Sequence, residues 1–114
     1  MDFEASAQIL RALGDKTRMQ ILAELRGGER CGNELLAAVE VSQSTLSHHM
    51  KTLTESGLVT VRRAGKWSYY AVAAEGKALS AAALEQAMGG AMAGAEPEKP
   101  AEKKKPVNKF ETWL

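Results

Sequence analysis

Thiols, rings and long apolar runs are all scarce in this chain. Of its 114 residues one is a cysteine, Cys31, and only two Phe, two Tyr and two Trp are present. A lone thiol excludes an intrachain disulfide and suits a reducing compartment, so a cytoplasmic protein is expected. The two histidines, His48 and His49, are adjacent. Neighbouring positions on a helix point about 100° apart and do not chelate one ion together. No apolar run reaches the ~18 residues that suggest a membrane span, so no membrane partner is expected. Met1-Asp-Phe-Glu4 lacks the basic-then-apolar pattern of a secretory leader. No nucleophile–base pair, phosphate-binding loop or paired-carboxylate site is visible, which argues against an enzyme and against a cofactor.

With few rings available, Leu, Ala and Val must fill the interior. The 45% hydrophobic content supports one modest core. Helical domains this small often bury further surface by dimerising. Residues 1–93 are expected to form the folded domain. From position 94 the composition shifts to Glu-Pro-Glu-Lys-Pro-Ala-Glu-Lys-Lys-Lys-Pro, which reads as a linker and tail over 94–114. Phe110 and Trp113 near its end suggest docking back onto the domain or its dimer.

Net charge is only +1, but it is unevenly spread. Residues 1–41 hold five basic and seven acidic side chains, whereas residues 42–77 hold five basic and two acidic ones. Positive charge therefore gathers on one segment, where phosphate would be met.

That segment opens with Ser42-Gln-Ser-Thr-Leu-Ser-His-His-Met-Lys-Thr-Leu-Thr-Glu-Ser-Gly57. Ser42 suits an N-cap and Gly57 a helix stop. At about 100° per residue, Leu46, His49, Met50 and Leu53 share one face. Ser44, Ser47, His48, Lys51 and Glu55 share the other. Gln43, Ser44, Ser47, His48 and Lys51 look outward and suit a DNA groove: Gln and His can bond base edges, Ser bases or phosphates, and Lys adds charge. His49 sits at the edge of the apolar face, as a packing histidine. A basic hairpin follows at once, Val59 to Val72, with a turn at Ala64-Gly65 and Arg62, Arg63 and Lys66 at its tip. The alternation of Trp67, Tyr69 and Tyr70 reads as packing within that hairpin. Upstream, helices are expected over Glu4 to Leu13, over Lys16 to Arg26 with Met19, Ile21, Leu22 and Leu25 inward, and over Cys31 to Val39. A fifth, Ala-rich helix is expected from Glu75 to about Ala93. A short third helix, a tight Glu40-Val41 turn and a polar fourth helix make a helix-turn-helix.

Four ordered blocks now carry a specific resemblance: Leu10-Arg-Ala-Leu-Gly-Asp-Lys-Thr-Arg-Met-Gln-Ile-Leu22, Ser42-Gln-Ser-Thr-Leu-Ser-His-His-Met50, Leu53-Thr-Glu-Ser-Gly-Leu-Val59 and Arg63-Ala-Gly-Lys-Trp-Ser-Tyr-Tyr70. Over a little more than half its length the chain resembles the ArsR/SmtB family of bacterial winged helix-turn-helix repressors. The resemblance implies a mainly α (α+β) fold: five helices, with a β-hairpin wing between the fourth and the fifth. It further implies a homodimer built on the first and last helices, an inverted-repeat double-stranded DNA operator and transcriptional repression. DNA contacts are expected from Ser42, Gln43, Ser44, Thr45, Ser47, His48 and Lys51 on the fourth helix and from Arg62, Arg63 and Lys66 on the wing.

The chain departs from the family's sensing sites. Arsenic-type members carry two or three thiolates near a Cys-x-Cys-Asp-Leu-Cys pattern. Here Cys31-Gly-Asn-Glu-Leu-Leu36 retains the first cysteine alone, too few for a trigonal thiolate site. Zinc-type members place Asp and His on the last helix, where this chain offers Glu75, Glu85 and Gln86. No metal site is therefore assigned, and the inducer stays open. Cys31, at a family sensing position, marks a redox-responsive repressor as one alternative. A protein-interaction module that kept the fold and lost DNA binding is another.

Overall fold

The computed structural model describes residues 2–89. Five helices and a small sheet follow in the order α1 (Phe3–Leu13), α2 (Lys16–Leu25), β1 (Arg30–Cys31), α3 (Gly32–Val39), α4 (Gln43–Ser56), β2 (Val59–Ala64), β3 (Trp67–Val72) and α5 (Gly76–Met88). The expected linker and tail, and the last residues expected in the fifth helix, lie outside the described residues.

Local chemistry sets most boundaries. Asp2, Asp15 and Ser42 each accept a backbone N–H three residues on, at 2.8, 3.0 and 3.1 Å, satisfying donors a helix start leaves unpaired. Gly57 ends α4 at φ 88, a conformation that costs glycine no Cβ clash. The α3–α4 turn is tighter in character: Glu40 itself takes φ 52, while its N–H bonds to the Leu36 carbonyl at 3.3 Å. The hairpin loop is Gly65-Lys66, one residue later than expected, because β2 pairs as far as Ala64 opposite Trp67. Gly65 has φ 64 and Lys66 does not have a positive φ, the pattern of a type II′ hairpin turn.

The sheet has three strands rather than two, in the order β1-β3-β2, all antiparallel. Arg30 and Cys31 pair with Tyr70 and Tyr69. Two residues offer no alternation to read, so this strand was invisible in the sequence. It also moves the start of the third helix from Cys31 to Gly32. Cys31 becomes the N-cap residue, and its N–H donates to the Glu34 carboxylate at 2.9 Å.

The core gathers aliphatic side chains from every helix. Ile9, Ile21, Leu25, Leu35, Leu46, Met50, Leu53, Leu58 and Val59 are buried in one cluster with Ala12 and Ala83. No aromatic side chain is in this buried set; Tyr70 packs on its edge. Met19, expected inward, is 59% exposed. It stands about 160° round the helix from Ile21, so the face that buries Ile21 and Leu25 turns it outward. Phe3 and Met88, at the outer ends of α1 and α5, are 71% and 81% exposed. Leu13 closes α1 beside Gly76, which opens α5, so the two helices pack side by side in opposite directions. No described helix is long and apolar enough to cross a membrane.

One guanidinium joins three helices. Arg18 donates from Nε to the Ala12 carbonyl at 2.8 Å and from Nη2 to the Arg11 carbonyl at 2.9 Å, covering the C-terminal end of α1. Its Nη1 lies 3.0 Å from Nδ1 of His49 on α4. Arginine only donates, so Nδ1 must accept, which places the imidazole proton on Nε2. That nitrogen faces the Asp15 carboxylate at 3.9 Å. His49 is thus the packing histidine expected, 9% exposed.

This junction generates two expectations. Arg18→Lys removes the planar fork that serves three acceptors and should lower unfolding stability by about 2 kcal/mol in urea titrations. The Arg18 N–H bonded to Asp15 holds that carboxyl below its usual range, against the opposing effect of burial. A depressed folded pKa means stability fully present above the unfolded value of ~3.9 and lost as pH falls through the lower folded value. Melting of Asp15→Asn should therefore lie below wild type at pH 7, by a few tenths to about 1 kcal/mol. The two curves should converge as the pH falls below the folded value of Asp15.

Candidate nucleic-acid interface

The fourth helix stands out of the core on its apolar face, and everything on the opposite face reaches solvent. Leu46, His49, Met50 and Leu53 are buried, whereas Gln43, Ser44, Thr45, Ser47, His48, Lys51 and Glu55 are exposed. The periodicity in the sequence therefore divides the helix as expected.

The exposed face has two sides. Gln43, Ser47 and Lys51, spaced four residues apart, open on a cleft of about 510 Å³ between the helix and the hairpin. Its far wall carries Arg63, Lys66 and Trp67, and its floor Leu36, Leu46, Met50 and Tyr70. Ser44 and His48 stand one step round the helix, outside that cleft, on its outermost edge. Ser42 and Thr45 are exposed but occupied locally. The Ser42 hydroxyl accepts the Thr45 N–H at 3.1 Å and donates to the Thr45 hydroxyl at 2.9 Å. Both residues hold the first turn together and present the N-terminal end of α4.

The hairpin splits its cations between its two faces. Val61, Arg63 and Ser68 face the cleft, and Arg63 donates to the Ser68 hydroxyl at 2.7 Å. Lys66 extends over the Trp67 ring at 5.8 Å. Arg62 points the other way. Its Nη2 and Nε donate to the two Glu29 oxygens at 2.8 and 3.1 Å, and its guanidinium lies 4.7 Å from the Tyr69 ring centre. The bonded guanidinium keeps the Glu29 carboxyl below the usual carboxylate range. Arg62 was expected at the tip with Arg63 and Lys66; it is instead clamped to the α2–β1 loop. Glu29 gave no sign of this in the sequence, since it lies 33 residues from Arg62.

Cys31 is half-buried. The Glu34 carboxylate accepts the Cys31 N–H and Glu29 pairs with Arg62, so these carboxylates near the thiol in sequence have other partners. Among the described residues, no three His, Cys, Asp or Glu side chains gather as a metal-ligand group. His48 and His49 sit with ring centres 5.7 Å apart, one exposed and one buried.

With this geometry in place, the likeness to known proteins is direct. Residues 15–61, from the α2 cap to the third residue of β2, match the model of a family described as bacterial regulatory proteins, arsR family. The arsenical resistance operon repressor of Staphylococcus aureus is 43% identical over 70 residues, spanning 61% of this chain and 67% of that protein. A crystal structure of a possible transcriptional regulator for arsenical resistance superposes with a TM-score of 0.64 at 35% identity, over 68% of this chain and 81% of the other. A homodimeric winged helix-turn-helix DNA-binding domain from Mycobacterium bovis superposes with a TM-score of 0.62 at 30% identity, over 71% and 77%.

The exposed Glu29–Arg62 clamp should steady the hairpin without stabilising the whole domain. In Glu29→Gln, amide exchange along β2 and β3 is expected to quicken a few-fold while α4 keeps its protection. Unchanged hairpin exchange would mean that strand pairing alone holds the wing.

Proposed function

The chain belongs to the arsR family of bacterial regulatory proteins, and on that premise we propose that it represses transcription as a homodimer on an inverted-repeat DNA operator in the cytoplasm. One observation carries the reading. The polar face of α4 and the cleft-facing side of the hairpin form a single concave surface, on which Gln43, Ser47, Lys51, Arg63 and Lys66 converge. A protruding helix suits the major groove, and the cations beside it suit the flanking phosphates. Gln43, Ser44, Ser47 and His48 are the base readers. Lys51, Arg63 and Lys66 bind backbone. Ser42 and Thr45 fix the helix start that offers its N–H groups to a phosphate. Arg62 contributes through the posture of the wing more than through direct contact, because Glu29 already neutralises it.

Dimerisation through α1 and α5 is supported by the apolar side chains these helices leave uncovered, Phe3 and Met88, at one end of their shared pair. It is also supported by the homodimeric relative, whose subunit has the same fold. Two α4 helices would then enter successive major grooves about one helical turn apart, and the dimer would block the promoter it covers. Residues 1–93 are the working domain in this reading, with 94–114 as its appendage.

The test is binding to DNA from upstream of the protein's own gene, with and without a panel of metals and an oxidant. Tight dimeric binding is expected, and an additive that releases it identifies the signal. His48→Ala and Gln43→Ala should each narrow the preference for operator over random DNA by at least about fivefold. Affinity should fall steeply with salt. Arg63→Ala or Lys66→Ala should flatten the log–log salt slope by roughly 1.8 in a dimer, since each subunit then neutralises one phosphate fewer. Arg62→Ala should flatten it less. No binding at low salt would put a protein-interaction module in place of the repressor, and operator control unaltered by Cys31→Ser would remove thiol sensing.

A further inference from the structure

A second concavity lies away from α4. It is a groove of about 360 Å³ bordered by the end of α1, the outer face of α2, the base of the hairpin and the start of α5. Its surface is apolar: Leu13, Met19, Leu22 and Val72 line it, over a buried Leu58. The exposure of Met19 and Val72, 59% and 38%, belongs to this one groove rather than to scattered positions. Gly76 forms part of the floor. A Cβ there would come within 3.2 Å of the Leu58 carbonyl oxygen and 3.5 Å of a Val72 methyl, so the start of α5 closes directly on the exit of α4.

The polar groups of the groove are of one sign. Arg26 and Lys77 both line it, and no acidic side chain does. Among the described residues neither cation is in an ion pair. The hydroxyl of Ser80, also in the lining, donates to the Gly76 carbonyl at 2.9 Å. An apolar trough of this volume is within the size range of small-molecule sites, and its charged side chains stand at its border. Apolar walls with two unpaired cations complement a molecule that is itself apolar along its body and anionic at one end.

We propose that this groove is an effector site for an amphipathic carboxylate, with the hydrocarbon body against Leu13, Met19, Leu22 and Val72 and the carboxylate at the rim that Arg26 and Lys77 line. The effector role rests on the repressor reading above. The place of the groove suits it, since one ligand would touch both helices of the proposed dimer pair, through Leu13 and Gly76, and the base of the wing, through Leu58 and Val72. A ligand there acts on operator binding to the extent that it prefers one arrangement of those elements.

The experiment is calorimetric titration of the intact chain with decanoate, octanoate and decanamide, paired with operator binding in the same samples. One saturable site per chain is expected for decanoate. Octanoate, two methylenes shorter, should bind about tenfold more weakly. Decanamide should also bind at least about tenfold more weakly, and the double variant Arg26→Gln, Lys77→Gln should weaken decanoate by a similar factor while leaving decanamide unchanged. Both substitutions are at exposed positions, and a native circular-dichroism spectrum controls for folding. Absence of saturable binding, or equal binding of acid and amide, overturns the site. Decanoate binding that leaves operator affinity unchanged overturns its effector role. Conversion of a dimer to a monomer by Val72→Glu also overturns it, by showing that a second copy of the chain covers this face. Failure of the ligand-free protein to bind operator, with decanoate still bound, would instead remove the repressor reading and leave the site standing.

Discussion

The placement of the fourth helix depends on one guanidinium. Arg18 meets the exposed carbonyls at the end of α1, and its own N–H meets the Asp15 cap that starts α2. Its remaining donor reaches His49 on the buried face of α4. The positive group sits where the α1 dipole is negative, so capping and macrodipole act together. Arginine supplies the fork that three differently placed acceptors require; an ammonium on a flexible stem would not. The consequence for function is positional. His49 directly follows His48, so the residue that anchors α4 to the body is adjacent to one proposed to read DNA.

Around that junction the aliphatic core does the rest of the holding. Leu53 and Ile21 are fully buried, and Leu35 brings in α3. Close-packed interiors transmit displacement poorly as compliance and well as rigid movement. A shift of the α1–α5 pair would therefore reach α4, which packs on α1, as a change in its position. On the proposed reading, this is how a ligand at one end of the domain would alter DNA binding at the other.

The hairpin shows how electrostatics divides labour within a few residues. Arg62 and Arg63 are consecutive, yet strand alternation sends them to opposite faces. Arg63 stays on the cleft side with Lys66, where a phosphate can be met. Arg62 stacks on Tyr69 and pairs with Glu29, which ties the wing to the loop before β1. Of the five cations in residues 42–77, Arg62 is already paired within the chain. The third strand adds a second restraint on the same hairpin, through Arg30 and Cys31.

Much of what depended on near neighbours in the chain was legible in the sequence, apart from the hairpin loop and the start of α3, each displaced by one residue. The cap at Ser42, the stop at Gly57 and the two faces of α4 all arise from interactions within a turn or two, or from the 3.6-residue period, and they emerged where residue types placed them. The family resemblance located the fourth helix and the hairpin in the same way, through contiguous blocks. Other features were decided by residues far apart in sequence. Arg62 is withdrawn by a carboxylate 33 residues away, and Arg18 finds its imidazole 31 residues on. Strand β1 exists only because β3 lies beside it, and Met19 faces outward because the core claimed the other side of α2. The groove at Arg26 and Lys77 likewise appears only when α2, α5 and the hairpin base meet. Local pattern sets which segments fold and which face is apolar; long-range packing decides which charges remain free and where separate segments enclose a cavity.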